Sequence, residues 1–133
     1  MADHEAGKDG AVTGEELNSR LAARTTRYRE LVGELANIGV IASGSLALRS
    51  HRCGKANCAC GKEPPRLHGP YWHLTTKVAG KTVNRRLSDQ DAASYQEWIA
   101  NDRRLRSIVD ELRSVGQDVI ELTLASNTKA SRV

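Results

Sequence analysis

Hydrophobic positions in the first third of the chain recur every three to four residues, at Leu17, Leu21, Tyr28, Leu31, Leu35 and Ile38. Spacings of 4, 7, 3, 4 and 3 fit alternating a and d positions of a heptad, with Arg24 as the one polar break. Thr13 and Glu16 upstream match a capping box, in which hydroxyl and carboxylate satisfy free backbone N–H groups reciprocally. Gly39 offers a stop. The pattern predicts a helix over residues 13–39 whose narrow apolar stripe suits a partner helix better than a broad core. Residues 1–12 are small, polar and Gly-containing, and read as a disordered tail.

After a Gly-containing link over 40–44, the period changes to two. Ser45–Ser50 reads as a strand with Leu46 and Leu48 on one face. Tyr71–Val78 is the clearest strand signal: Trp72, Leu74, Thr76 and Val78 face one way, and Tyr71, His73, Thr75 and Lys77 the other. Ala79-Gly80-Lys81 forms a short hairpin turn, and Thr82–Leu87 returns with Val83 and Leu87 on the apolar face. Arg85 falls on that same face, which marks this as an edge strand. A helical period then resumes. Ser88 with Asp91 reads as a start signal. Trp98, Leu105, Val109, Leu112 and Val119 continue at 3–4 spacing, with Asp102 and Gly116 as breaks. One helix over 88–125 is expected, kinked at Gly116, with 126–133 fraying. The fold class is thus α+β: a three-stranded antiparallel meander over 45–87, flanked by two long coiled-coil-like helices.

Composition sharpens this picture. The chain has 133 residues, 39% of them hydrophobic, with no Phe, two Trp and three Tyr. So few bulky side chains make a deep core hard to build, and call for a staple, a partner subunit or both. No apolar run approaches the roughly 20 residues of a membrane span. Net charge is only +4, yet residues 49–87 carry nine Lys/Arg against Glu63 alone. Such a local excess points to a polyanionic partner.

The staple lies between the first two strands. Three cysteines crowd one short window, a poor disulfide framework but a good metal or redox cluster in a reducing cytoplasm. Cys53-x4-Cys58-x-Cys60-x7-His68 supplies a Cys3His set within sixteen residues, a donor set suited to tetrahedral zinc. Gly54 and Gly61 each follow a ligand, and Pro64-Pro65 stiffens the return to His68. His51, His73 or a water are the alternatives for the fourth position. The C-x-C step departs from the usual C-x2-C knuckle. Catalytic zinc needs an open position and a nearby base, and Glu63 is the loop's only carboxylate, so a structural ion and no enzymatic activity are expected.

The run Arg52-Cys53-Gly54-Lys55, Cys58-Ala59-Cys60, His68-Gly69-Pro70-Tyr71-Trp72 and Gly80-Lys81-Thr82 resembles a family of short uncharacterised bacterial proteins. Members often occur near mobile elements and transposases. The resemblance, over roughly residues 40–115, implies that Cys53, Cys58, Cys60 and His68 act as a set.

The function expected is a zinc-stabilised, cytoplasmic, nucleoid-associated DNA-binding accessory protein of transposition or recombination, working as a homodimer or helix-mediated oligomer. Arg49, Arg52, Lys55, Lys62, Arg66, Lys77, Lys81 and Arg86 would neutralise phosphates, with Tyr71, His73 and Asn84 stacking or hydrogen-bonding from the exposed sheet face. The alternative is an adaptor that grips a recombinase or transposase through its helices without touching DNA.

Overall fold

A computed structural model describes residues 12–131. The expected N-terminal tail, apart from Val12, lies outside the described residues, as do the last two positions of the expected C-terminal tail. Among the described residues the architecture is α+β, with two long helices and a three-stranded antiparallel sheet. The chain divides into two compact units: residues up to Asn37 with those from Leu105 on, and Ile38–Arg104.

The first unit is a helix pair. Helix α1 (Gly14–Leu35) starts at Thr13, whose hydroxyl accepts the Glu16 N–H at 3.0 Å. The C-terminal part of helix α2 (Asp89–Ser131) lies antiparallel beside it. Lys129 Nζ donates to the Val12 carbonyl at 2.7 Å, Arg24 meets Asp118 at 3.7 Å, and Arg27 Nη2 donates to Glu111 at 2.8 Å. Leu17 and Leu31 are the buried members of the α1 stripe, while Ile108 and Val115 are buried in α2.

Three expectations change here. Helix α1 ends at Leu35 rather than Gly39, because Ala36 and Asn37 turn their N–H groups onto Gly33 and Glu34. Helix α2 runs unbroken through Gly116. This glycine is instead a packing device, since a Cβ there would stand 3.3 Å from the Tyr28 ring. The fraying expected from residue 126 does not occur before Ser131: the Thr128 hydroxyl donates to Leu124 O, and Lys129 reaches Val12. A cation in the last turn also suits the helix dipole.

In the second unit, strands β1 (Ser45–His51), β2 (His68–Val78) and β3 (Lys81–Leu87) pair in the order β1-β2-β3. Strand β2 begins three residues earlier than expected. Ala79 and Gly80 both adopt positive φ, 51° and 81°, the twist a two-residue hairpin turn requires. That turn sets Val78 opposite Lys81 and fixes the register to Trp72 opposite Leu87. Leu74 and Leu87 face the start of α2, where Ala92 and Ile99 complete a small buried core bordered by Ala42, Leu46, Trp72 and Tyr95. The Ser88 hydroxyl caps α2 by accepting the Asp91 N–H at 3.1 Å. The Ala42 N–H donates to Trp98 O at 3.1 Å and Asn101 Nδ2 to Val40 O at 2.7 Å, tying the connecting segment to α2. Arg85, the misfit in the apolar alternation, donates to the Tyr95 hydroxyl at 3.3 Å from edge strand β3.

Candidate metal centre and sheet face

Leaving β1, the chain makes a single 3-10 turn at Ala59–Gly61 before entering β2. The Cys58 N–H donates to Lys55 O, and the Gly61 N–H to Cys58 O, so the backbone doubles back twice within a few residues. This folds the unusual C-x-C step so that both thiols point inward: Cys60 is buried and Cys58 half-buried. The Arg66 N–H, donated to Ala59 O at 3.1 Å, draws the Pro-Pro segment back and delivers His68 at the first position of β2.

The ligand atoms of Cys53, Cys58, Cys60 and His68 all lie within 4.8 Å of one another. Cys53 Sγ stands 3.6 Å from Cys60 Sγ, and Cys58 Sγ stands 3.2 Å from His68 Nε2. A tetrahedral ion with bonds of about 2.3 Å to sulfur and 2.0 Å to nitrogen sets these separations near 3.8 and 3.5 Å. The cluster therefore fits a four-coordinate metal ion with small adjustments. The competing histidines are placed elsewhere. His51 pairs with His68 across the sheet, its ring centroid 5.5 Å away, and His73 engages Asn84 on the open face; neither joins the cluster.

One of the thiols is tuned toward thiolate. The Cys53 N–H donates to Cys60 Sγ at 3.2 Å, and this bond leads the influences that lower the Cys60 pKa to about 7. On Cys53 the largest single influence, the Lys55 backbone N–H, also lowers the pKa. Desolvation and the neighbouring Cys60 and Cys58 together outweigh it and leave the thiol raised.

Gly69 explains how the ligand loop joins the sheet. Its φ is +103°, and a Cβ there would stand 2.8 Å from Arg49 O and 2.9 Å from Tyr71 N. Only a residue without a side chain lets β1 and β2 close beside the ligand His68.

Strand register sorts the expected nucleic-acid residues. Leu46, Trp72, Leu74 and Leu87 take the face toward α2, so Arg49, Tyr71, His73, Lys77, Asn84 and Arg86 share the opposite, open face. Two contacts organise it. The Arg86 guanidinium lies over the Tyr71 ring, 3.3 Å from its centroid, and His73 Nδ1 donates to Asn84 Oδ1 at 3.1 Å. The Arg86–Tyr71 stack had a sequence signal that went unread: the two-residue turn sets Arg86 opposite His73, and hence diagonal to Tyr71. Arg52, Lys55, Lys62 and Arg66 are exposed along the ligand loop, at the Arg49–Tyr71 end of the sheet. Lys81 is the exception. Opposite Val78 at the hairpin, it has the parity of Leu87 and does not join the open face.

A family model described as a domain of unknown function (DUF6788) matches residues 15–97, a span holding α1, the whole sheet, the ligand cluster and the start of α2. No curated protein and no solved structure matches the chain.

Proposed function

This chain belongs to the DUF6788 family, and from that premise we propose that it is a zinc-stabilised DNA-binding protein acting as an accessory factor of a mobile element. One observation carries the reading: a single open sheet face gathers Arg49, Lys77 and Arg86 with Tyr71, His73 and Asn84, beside a loop bearing Arg52, Lys55, Lys62 and Arg66. Glu63 is the only acid among residues 49–87. The donor set of three thiolates and one imidazole favours zinc. All four positions are filled by protein, which fits a structural ion. The mobile-element context rests on the sequence resemblance.

An adaptor role has its own support. Tyr28, Val32, Ile120 and Leu124 are exposed apolar side chains on the helix pair, a surface on which a recombinase, a transposase or a second copy of the chain could seat. The two roles are compatible.

The test is a shift assay on random duplex DNA across salt. Six or more phosphate contacts predict a loss of about 10³–10⁵ in affinity between 50 and 200 mM salt. Exchanging Arg49 and Arg86 together for Ala should weaken DNA binding while leaving any helix-mediated complex intact. DNA affinity indifferent to salt and to that double substitution would remove DNA binding from the proposal and leave the adaptor.

A further inference from the structure

Resting on the DNA-binding reading, we infer that the open sheet face enters the major groove of B-form duplex DNA and reads guanine edges with Arg49, Asn84 and Arg86. Three features of the face select this partner among nucleic acids.

The first is width. Three strands about 4.8 Å apart span about 10 Å between the outer backbones. That exceeds a minor groove of about 6 Å and matches the scale of the major groove, about 12 Å wide, which two adjacent strands of the face can enter. The deep, narrow major groove of an A-form RNA duplex would refuse it.

The second is the state of its aromatic rings. Single-strand binders stack bases on open aromatic faces. Tyr71 supplies the only Tyr or Trp ring on this sheet face, and the Arg86 guanidinium already covers one side of it at 3.3 Å. With the other ring, His73, tied to Asn84, the face offers no row of free aromatic platforms for stacked bases. The stack instead holds the Arg86 fork in a fixed plane, the preparation a two-pronged contact needs.

The third is donor chemistry. Arg49 and Arg86 present only donors. His73 Nδ1 lies 3.1 Å from Asn84 Oδ1, a contact that engages the oxygen side of the amide and turns the two amide N–H donors of Asn84 toward a ligand. Guanine alone presents two acceptors, O6 and N7, on its major-groove edge. A donor-rich face therefore prefers guanine. Lys77 and the loop cations Arg52, Lys55, Lys62 and Arg66 flank these three readers and are left for phosphates.

The experiment uses the full metal-loaded chain. It selects bound duplexes from a random pool of about 20 base pairs, then measures affinity for the selected duplex, for its separate strands, and for the duplex with 7-deazaguanine replacing guanine. The selected sites should contain guanine, and loss of N7 should weaken binding about tenfold or more. The separate strands should bind more weakly, and the minor-groove ligand netropsin should not compete. A pool without sequence preference, a deazaguanine duplex bound within about twofold, or single strands bound as well as the duplex would overturn this inference. Salt-dependent DNA binding would survive any of those results. Failure to bind any nucleic acid would end both.

Discussion

Removing the metal should loosen the sheet unit, and the loop it closes sets the scale. An ion bridging Cys53 and His68 ties off a segment of sixteen residues. By analogy with a covalent cross-link over a loop of that size, the constraint is worth about 3 kcal/mol. The unit it serves runs from Ile38 to Arg104, and its hydrophobic cluster has only four buried members, Leu74, Leu87, Ala92 and Ile99. A unit of that length holds about 3–10 kcal/mol in total, so the ion accounts for a third of it or more. For so small a unit, 3 kcal/mol corresponds to a fall in melting temperature of about 12–24 °C. Both tryptophans, Trp72 and Trp98, lie within this unit, so their emission reports on it directly. The assay compares thermal melts by Trp emission of the loaded protein, the chelated protein and Cys60→Ser, each with its metal content measured. Chelated protein and Cys60→Ser should melt alike and well below the loaded form. Equal midpoints, within about 4 °C, for loaded and verified metal-free protein would refute the claim that the ion holds the sheet together.

The other predictions concern single groups. Leu74→Ala, at a position 3% exposed in the central strand, should cost about 2–5 kcal/mol in urea unfolding followed by Trp emission; a loss below 1 kcal/mol would mean the core lies elsewhere. Gly69→Ala places a Cβ against two backbone atoms at positive φ, and should cost at least about 1–3 kcal/mol and weaken metal retention against a chelator. Full metal retention there would show that β1 and β2 can separate freely beside His68. In metal-free protein, thiolate absorbance near 240 nm should show a step of one thiolate with a midpoint at about pH 7, from Cys60. Because this folded-state pKa is depressed below the ordinary 9.0, the stabilisation it brings is complete above about pH 9 and is lost as pH falls through about 7. A single titration step near 9 for all three thiols would contradict the Cys53 N–H to Cys60 Sγ contact.

Local signals wrote most of this fold into the sequence. The caps at Thr13 and Ser88, the alternation through Trp72 and Leu74 and the Cys-Cys-Cys-His spacing are short-range, and each element starts where they place it to within three residues. The helix ends and the stripe of α2 were less legible, because they depend on partners distant in sequence. Gly39 looked like a stop, but it stands 2.9 Å from Asn101 Nδ2 by its would-be Cβ, while α1 had already turned at Ala36. In α2 the apolar residues come as neighbouring pairs, Trp98-Ile99 and Ile108-Val109, and a 3–4 count accepts either member. Packing buries Ile99 and Ile108, and Val115 is buried with them. At the site, the imidazole could not be chosen by spacing alone. The bulge between Arg49 and His51 and the return of the Pro-Pro segment bring His68 to the thiols and leave His51 outside.

The position of the candidate metal site relative to the cationic face links stability to recognition. The ligands sit where β1 ends and β2 begins, and the adjacent cross-strand pair is Arg49 with Tyr71. Tyr71 in turn carries the Arg86 guanidinium of β3. Opening the loop therefore acts first on the two arginines assigned to base reading, through a short chain of paired residues. The His73–Asn84 bond and Lys77 lie toward the hairpin, whose register is held by the Ala79-Gly80 turn without help from the ion. Metal loss should thus weaken sequence preference more than it weakens general attraction to DNA, because the loop cations keep their charge whether or not the loop is ordered. If the metal-free chain bound its selected duplex with undiminished preference over random duplex, the ion would be a staple for the fold alone, with no part in holding the reading surface.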